Sequence, residues 1–228
     1  MLAEIGSASR ITNVAFVGEC LVCISETEVF CVNIHSLSRT TIELKPGGPI
    51  LACSSSLASS VFAFPCAAHG SVSSSSSNKG VVAIANMNST ANPICSVVSA
   101  HKTPLTAIAM SVDGSLVATT SQEGTLIRIW NTSGSLISEL RRGTRKATVT
   151  GLAFGGNSLV ALASKKETIH IFNLVNNNHI TFDTKNKQPK YVMFDISGEL
   201  LFVVSLDKTF RILQMKGSGV EQLDRRNF

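Results

Sequence analysis

At 228 residues the chain can build one domain with a sizeable core, and it is too short for two of ordinary size. Hydrophobic residues make up 44% and charged residues 15%, which excludes a disordered chain of low hydrophobicity and high charge, while a net charge of +5 names no partner by itself. No run approaches the roughly 20 apolar residues of a membrane-spanning helix, and the N-terminal MLAEIGSASR lacks the pattern of a signal peptide, so a soluble, unsecreted protein is expected.

Taken in chain order, the first unit is ITNVAFVGECLVCISETEVFCVNI at 11–34, an alternating apolar run, a turn, a second run, a polar turn and a third run. A degenerate unit follows from Pro49 through ILACSSS, SSVFAFP and GVVAIANM to about Val98; within it the low-complexity HGSVSSSSSNKG at 69–80 reads as a flexible loop. Three clearer copies occupy 105–131, 149–173 and 191–214, where Met110, Phe154 and Phe194 hold equivalent places at separations of 44 and 40. Period-two alternation, β-branched residues and turns such as Asp113-Gly114, Gly155-Gly156 and Ser197-Gly198 predict antiparallel strands with almost no helix. A period of about 40 residues with about four short strands is that of β-propeller blades.

The expected fold is therefore all-β, a WD-repeat-like propeller in one domain over 1–215, with blades at 11–46, 49–98, 104–140, 147–184 and 189–215 and a loose polar tail at 216–228. Apolar third strands such as Ile127 to Trp130 and Ile169 to Phe172 should pack blade on blade, with polar outer strands at SELR (138–141) and HITFDT (179–184).

Catalytic motifs are missing from the sequence: there is no nucleophile elbow, Walker loop, H-E-x-x-H or dinucleotide fingerprint. Asp113, Asp195 and Asp207 fall in or beside turns, where aspartate is favoured for its own backbone hydrogen bonds. The reading is no enzyme, no metal and no cofactor. Six cysteines, including one C-x-x-C at Cys20 and Cys23, lie in the first half and are expected to be buried reduced thiols in a reducing compartment. His101 and Trp130-Asn131 are spaced like the Gly-His and Trp-Asp pairs of WD repeats; His101 either braces the blade with a hydroxyl such as Ser121 or meets a ligand. His170 alternates with Ile169 and Ile171 and is expected to play a polar part at the blade edge, whereas His35, His69 and His179 carry no signal.

The strongest local feature is Leu140-Arg141-Arg142-Gly143-Thr144-Arg145-Lys146. In an extended segment adjacent side chains point to opposite sides, so Arg141 and Arg142 serve two pockets more readily than one. Gly143 allows a bend or a close ligand approach, Thr144 adds a hydroxyl, and an arginine fork matches phosphate oxygens. Charge alone favours the plainer reading, a solvated basic linker.

The stretch AHKTPLTAIAMSVDGSLVATTSQEGTLIRIWN, followed by LRRGT, VTGLAF and SLVALASKKETIHIFNL, resembles the PROPPIN family, WD-repeat propellers that bind polyphosphoinositides. The family hallmark, Phe/Leu-Arg-Arg-Gly between two blades, is Leu140 to Gly143 here, and the resemblance is specific from about Ala100 to Leu174. It implies a seven-bladed fold and binding of phosphatidylinositol 3-phosphate and the 3,5-bisphosphate at two sites, one on each side of the arginine pair. The first would use His101, Thr119, Ser121, Thr125, Arg128 and Arg141, and the second Arg142, Thr144, Ser164, Lys166, Thr168 and His170.

The implied role is an adaptor, cytoplasmic and peripheral on autophagosomal precursor, endosomal or vacuolar membranes, that recruits autophagy lipid-transfer or conjugation proteins. The rival is a WD-repeat protein scaffold without lipid binding; nucleic acid is disfavoured because RRGTRK has no interleaved aromatic platform. Two departures from the family stand out. The long membrane-dipping loop is replaced by Val175 to Asn178, which puts insertion in doubt. About two N-terminal blades are also lacking, which leaves three explanations open: a fragment, a smaller closed ring, or an edge covered by another chain.

Overall fold

Alternation with period two gives twenty β-strands and, among the described residues, no helix. The computed structural model describes residues 5–67, 80–89, 92–185, 187–217 and 219–227. Five antiparallel four-stranded sheets follow one another along the chain, each in simple meander order. Blade 1 holds β1 (Ile11–Val17), β2 (Cys20–Ser25), β3 (Val29–Asn33) and β4 (Arg39–Ile42); blade 2 holds β5 (Ala52–Cys53), β6 (Val61–Pro65), β7 (Gly80–Asn86) and β8 (Ile94–His101). Blade 3 holds β9 (Leu105–Met110), β10 (Leu116–Ser121), β11 (Leu126–Asn131) and β12 (Leu136–Arg141); blade 4 holds β13 (Val149–Gly155), β14 (Leu159–Ser164), β15 (Thr168–Asn173) and β16 (His179–Asp183). Blade 5 holds β17 (Pro189–Phe194), β18 (Leu200–Ser205), β19 (Thr209–Lys216) and β20 (Gly219–Asn227).

The first strands approach one another from blade to blade, β5 with β9, β9 with β13 and β13 with β17, and so form the inner wall. Met110, Phe154 and Phe194 each stand near the end of a first strand and opposite the start of the second, pairing with Val117, Val160 and Leu201, as their equivalence in the repeat requires. Blades then pack face to face through alternate residues. Ile127 and Ile129 of blade 3 meet Leu162 and Phe172 of blade 4, while Ile169 and Ile171 on the other face of blade 4 meet Val192, Leu201 and Leu213 of blade 5. A fully buried side chain of this size contributes roughly 1.5–3 kcal/mol, so these interblade layers are the main cohesion of the array. Among the described residues no comparable strand contact joins blade 5 to blade 1, and the array is open there.

Three expectations need correction. The segment read as a loose tail contains β20, which pairs with β19 from Lys216–Gly219 to Thr209–Asn227. Its polarity is that of an outer strand, and the tight turn is made at Gly217, whose φ is +53°. Blade 2 also runs three residues past Val98, so His101 ends its outer strand. Of the cysteines, only Cys23, Cys31 and Cys66 are buried; Cys20 and Cys53 are half-buried and Cys95 is exposed, and all six thiols are free. Cys20 and Cys23 pair with Asn33 and Phe30 on opposite faces of β2, so the C-x-x-C forms no common site. The expected Ser-rich loop at 69–80 lies outside the described residues apart from Gly80, which opens β7.

Candidate functional site

Blade 3 delivers the two arginines from the end of its outer strand. In the β11–β12 ladder Leu126 stands opposite Arg141 and Arg128 opposite Glu139, so Arg128, Glu139 and Arg141 share one face. That face turns toward blade 2: Arg128 Nη1 donates to the carbonyl of Ala100 at 2.6 Å, and its Nε pairs with Glu139 Oε2 at 2.9 Å. Arg141 is exposed and, among the described residues, meets no carboxylate. It also borders a cavity of about 300 Å³ between β12 and the β15–β16 turn, together with Glu139, Asn178 and His179.

One residue later the direction changes. The Arg142 amide donates to the Thr125 carbonyl at 2.9 Å, which extends the ladder by one bond. Its Nε donates to the Gly124 carbonyl at 2.5 Å and its Nη2 to the Arg145 carbonyl. Three of the five guanidinium N–H groups remain, and the charge lies close enough to His170 of blade 4 to help depress its pKa. Ladder register thus starts the Arg141 side chain from the blade 2 face of β12, while hydrogen bonds hold Arg142 near blade 4, and among the described residues no carboxylate pairs with either.

The bend depends on a glycine other than the expected one. Gly143 has open space around its α-carbon. Gly124 has a φ of +60°, and a Cβ there would stand 1.9 Å from the Ala147 carbonyl oxygen. This close approach seats the 142–148 connection against the 122–125 turn, aided by the Ala147 amide bond to the Glu123 carbonyl at 3.2 Å.

On the blade 2 side, Thr119 is wholly buried and occupied: it accepts from Trp130 Nε1 at 2.9 Å, meets His101 Nε2 at 3.1 Å and donates to the Arg128 carbonyl. Its hydroxyl, placed by the family pattern among ligand contacts, instead braces the blade 2–blade 3 junction, and it is Thr119 and not Ser121 that pairs with His101. Burial first, then the charge of Arg128, lowers the His101 pKa to about 4, so the ring is neutral at pH 7. Ser121 ends β10 and is buried, while Thr125 is half-buried at the rim.

On the blade 4 side, Thr144 and Lys166 are exposed, Thr168 is half-buried, and the buried Ser164 accepts from the Lys166 amide at 3.3 Å. His170 is buried against β16, contrary to the expected polar place at the blade edge: its Nδ1 lies 3.1 Å from His179 Nε2. Burial, the His179 ring and Arg142, in that order, lower its pKa to about 4. His179 itself stacks on Phe172 with centroids 4.2 Å apart. Sequence reasoning passed over His179, although strict pairing across a short hairpin sets Phe172 opposite it. The hairpin turn is closed by Asn173, whose Oδ1 accepts from the amides of Val175 and Asn176, and by Asn177 at φ +54°.

The PROPPIN family model matches residues 4–205. The chain belongs to the PROPPIN family. Among curated relatives, this PROPPIN is 33% identical over 169 residues to autophagy-related protein 18 of Mycosarcoma maydis, covering 68% of this chain and 37% of that protein. It is 34% identical over 171 residues to the protein of the same name from Yarrowia lipolytica, covering 68% and 42%. SVP1-like protein 2 of Emericella nidulans is 48% identical over 81 residues, which are 35% of this chain and 26% of that one. The chain thus spans well under half the length of these curated relatives. Among solved structures, the complex of KlAtg21 with the coiled coil of AgAtg16 superposes with a TM-score of 0.83 at 19% identity, covering all of this PROPPIN and 73% of that chain. Hsv2p of Kluyveromyces lactis gives 0.76 at 19% identity, covering 98% and 75%. These structural likenesses establish the propeller fold.

Proposed function

We propose that the chain binds phosphatidylinositol 3-phosphate and the 3,5-bisphosphate through the two clefts that flank Arg141 and Arg142, and that it serves as a non-catalytic adaptor. The observation that carries this reading is that strand register and hydrogen bonding start Arg141 and Arg142 in different directions at a blade junction, with no carboxylate pairing either among the described residues. Arg141 with Arg128, Ser121 and Thr125 would hold one phosphorylated inositol, with His101 and Thr119 as the brace behind them. Arg142 with Thr144, Lys166 and Thr168 would hold the other, with Ser164 and His170 supporting from beneath. Two sites on one rim place the second headgroup at high effective concentration, so modest single-site affinities become useful avidity. Arg145, Lys146 and Lys165 would add about 1 kcal/mol each near an anionic surface, an attraction that salt screens.

The membranes in question are autophagosomal precursor, endosomal or vacuolar membranes, reached from the cytoplasm. KlAtg21 was solved with the coiled coil of AgAtg16, and a partner from the same machinery, for conjugation or lipid transfer, is the kind this adaptor would recruit. Liposome flotation tests the lipid reading. Binding should require the 3-phosphorylated lipid and disappear in Arg141→Ala/Arg142→Ala while the circular dichroism of the β-fold is retained. Equal flotation of the double variant would reject it.

A further inference from the structure

One step of the ladder recurs at three successive blade junctions, and its charge changes at the last. Ser121, Ser164 and Ser205 end the second strands of blades 3, 4 and 5, and the residue two before each stands opposite Arg128, His170 and Arg211. The outer strand then supplies a cross-strand neighbour on the same face: Glu139 for Arg128, Thr181 for His170 and Arg225 for Arg211. Blade 3 thus pairs its arginine within the sheet, at 2.9 Å, whereas blade 5 sets two arginines directly opposite one another. Like charges in that relation repel.

Among the described residues no carboxylate comes between them. Arg211 is 2% exposed, and its Nη1 and Nη2 donate to Ser205 Oγ and the Thr184 carbonyl, both at 3.1 Å and both neutral acceptors. Asp207, whose charge reaches Arg211, is already paired with Lys187 at 2.5 Å. Asp224 and Arg226 stand opposite Ile212 and Phe210 on the other face of β20, where they pair at 2.7 Å. From blade 4, Ile180 and Phe182 pack toward blade 5, while Thr181 and Asp183 lie on the face shared with His170 and Thr168. With Lys187 and Asp207 cancelling, Arg211 and Arg225 leave the junction an excess of two positive charges. Arg225 is exposed, so its guanidinium can be reached from solvent.

We propose that the blade 4–blade 5 junction is a third anion site, taking a phosphate group as a monoester or as free phosphate, with the open fork of Arg225 gripping its oxygens and the buried Arg211 drawing it from beneath. A phosphomonoester carries about −1.5 to −2 charge near neutral pH, which matches the excess, and its oxygens suit a guanidinium fork. Both walls of the site belong to this chain, one junction beyond the arginine pair. The external anion takes the part that Glu139 plays for Arg128 in blade 3.

Because this site is separate from Arg141 and Arg142, it is tested in the full chain carrying Arg141→Ala/Arg142→Ala. Isothermal titration with inorganic phosphate, against chloride at equal ionic strength, should show binding that Arg225→Ala weakens at least about tenfold. Arg226→Glu, the next residue on the opposite face, should leave that binding unchanged although it alters net charge more. Arg225→Glu builds into blade 5 the pair that blade 3 already has, so it should abolish phosphate binding and raise the Tm in phosphate-free buffer by about 2–4 °C, a gain that damage to the fold does not produce. The same thermal comparison in the otherwise unaltered chain keeps the test decisive if the double variant folds poorly. One site lacks the avidity to hold a vesicle, so the source of the phosphate is separated with the arginine pair intact. Weaker flotation of Arg225→Ala on phosphatidylinositol 3-phosphate vesicles would support a lipid headgroup, and equal flotation beside the calorimetric loss would support a soluble phosphate. No phosphate binding once Arg141 and Arg142 are replaced, equal weakening by Arg225→Ala and Arg226→Glu, or an Arg225→Glu chain no more stable than its parent would each overturn the proposal.

Discussion

Thr119→Val is the most direct test of the brace behind the first cleft. Valine preserves the shape and removes one oxygen, which accepts from Trp130 Nε1 at 2.9 Å and meets His101 Nε2 at 3.1 Å, with Thr119 itself 0% exposed. The substitution strands a buried indole N–H and a buried imidazole nitrogen at once. Each unpaired buried group costs about 1–3 kcal/mol, and partial relaxation brings the sum to roughly 2–4 kcal/mol. For a chain of this length that is a fall in Tm of about 5–15 °C. Trp130 is the single tryptophan, so urea unfolding followed by its fluorescence reports from the site of the change, and far-UV circular dichroism reports the whole fold. The expected result is a lower midpoint in both signals with an unchanged m-value. His101→Phe made in the Thr119→Val background should add much less than it costs alone, because its partner is already gone. A Thr119→Val protein within about 0.5 kcal/mol of the parent would refute the argument that this hydroxyl holds blades 2 and 3 together.

Four further outcomes follow from the geometry. Gly124→Ala drives a Cβ to 1.9 Å from the Ala147 carbonyl at a φ of +60°, so it should displace the 142–148 connection, cost upwards of about 2 kcal/mol and abolish flotation on 3-phosphorylated lipid; full binding by a stable Gly124→Ala protein contradicts this seating. Glu139→Gln releases Arg128 from its 2.9 Å ion pair and should raise vesicle affinity about fivefold at low salt, the equivalent of about 1 kcal/mol, with a stability change below that; unchanged affinity would remove Arg128 from the first cleft. His101 and His170 titrate near 4 in the folded chain against 6.5 when exposed, so the unfolded state takes up protons first: their stabilisation is complete above pH 6.5 and is lost as the pH falls toward 4. For His101 the loss is on the order of 3 kcal/mol, and a His101→Gln variant whose pH–stability slope equals the parent's would show that the ring is not held neutral. Val175 is 81% exposed in a short turn, so Val175→Asp should leave both stability and flotation unchanged, and impaired flotation would assign that turn a membrane contact.

Much of the fold was legible because blades are local. Each is a meander whose strands pair with their sequence neighbours, so period-two alternation and turn residues identify sheets directly, and Met110, Phe154 and Phe194 mark the same step in three of them. The arginine pair was legible for the same reason, since strand alternation alone separates neighbouring side chains. What escaped depends on contacts between segments. β20 has the composition of a tail because an outer strand buries little, and only its ladder to β19 reveals it. Thr119 and Ser121 lie on the same side of β10, and the choice between them turns on where His101 and Trp130 reach across a blade junction. His179 became visible only once Phe172 and His170 were in place beside it.

The repeat also shows why, among the connections between blades, the anion chemistry is concentrated at one. Arg128, His170 and Arg211 occupy the same position in three successive third strands, and each is consumed by a brace: Arg128 on Glu139 and the Ala100 carbonyl, His170 on His179, Arg211 on Ser205 and the Thr184 carbonyl at 2% exposure. The position is a polar brace in these three blades, whereas Phe30 and Ala83 hold the equivalent place in blades 1 and 2. In the proposed first cleft Arg128 thus shares its charge with Glu139, and the unpaired cations come from the segment leaving the outer strand. After blade 4 that segment carries Lys185 and Lys187, of which Lys187 is tied to Asp207 at 2.5 Å, whereas after blade 3, among the described residues, Arg141 meets no carboxylate and Arg142 bonds main-chain carbonyls. Carbonyls orient a guanidinium without cancelling its charge, and a carboxylate does both. The blade 3 connection therefore keeps its two arginines available to an anion outside the fold, although its Lys146 is paired with Glu123 at 2.9 Å.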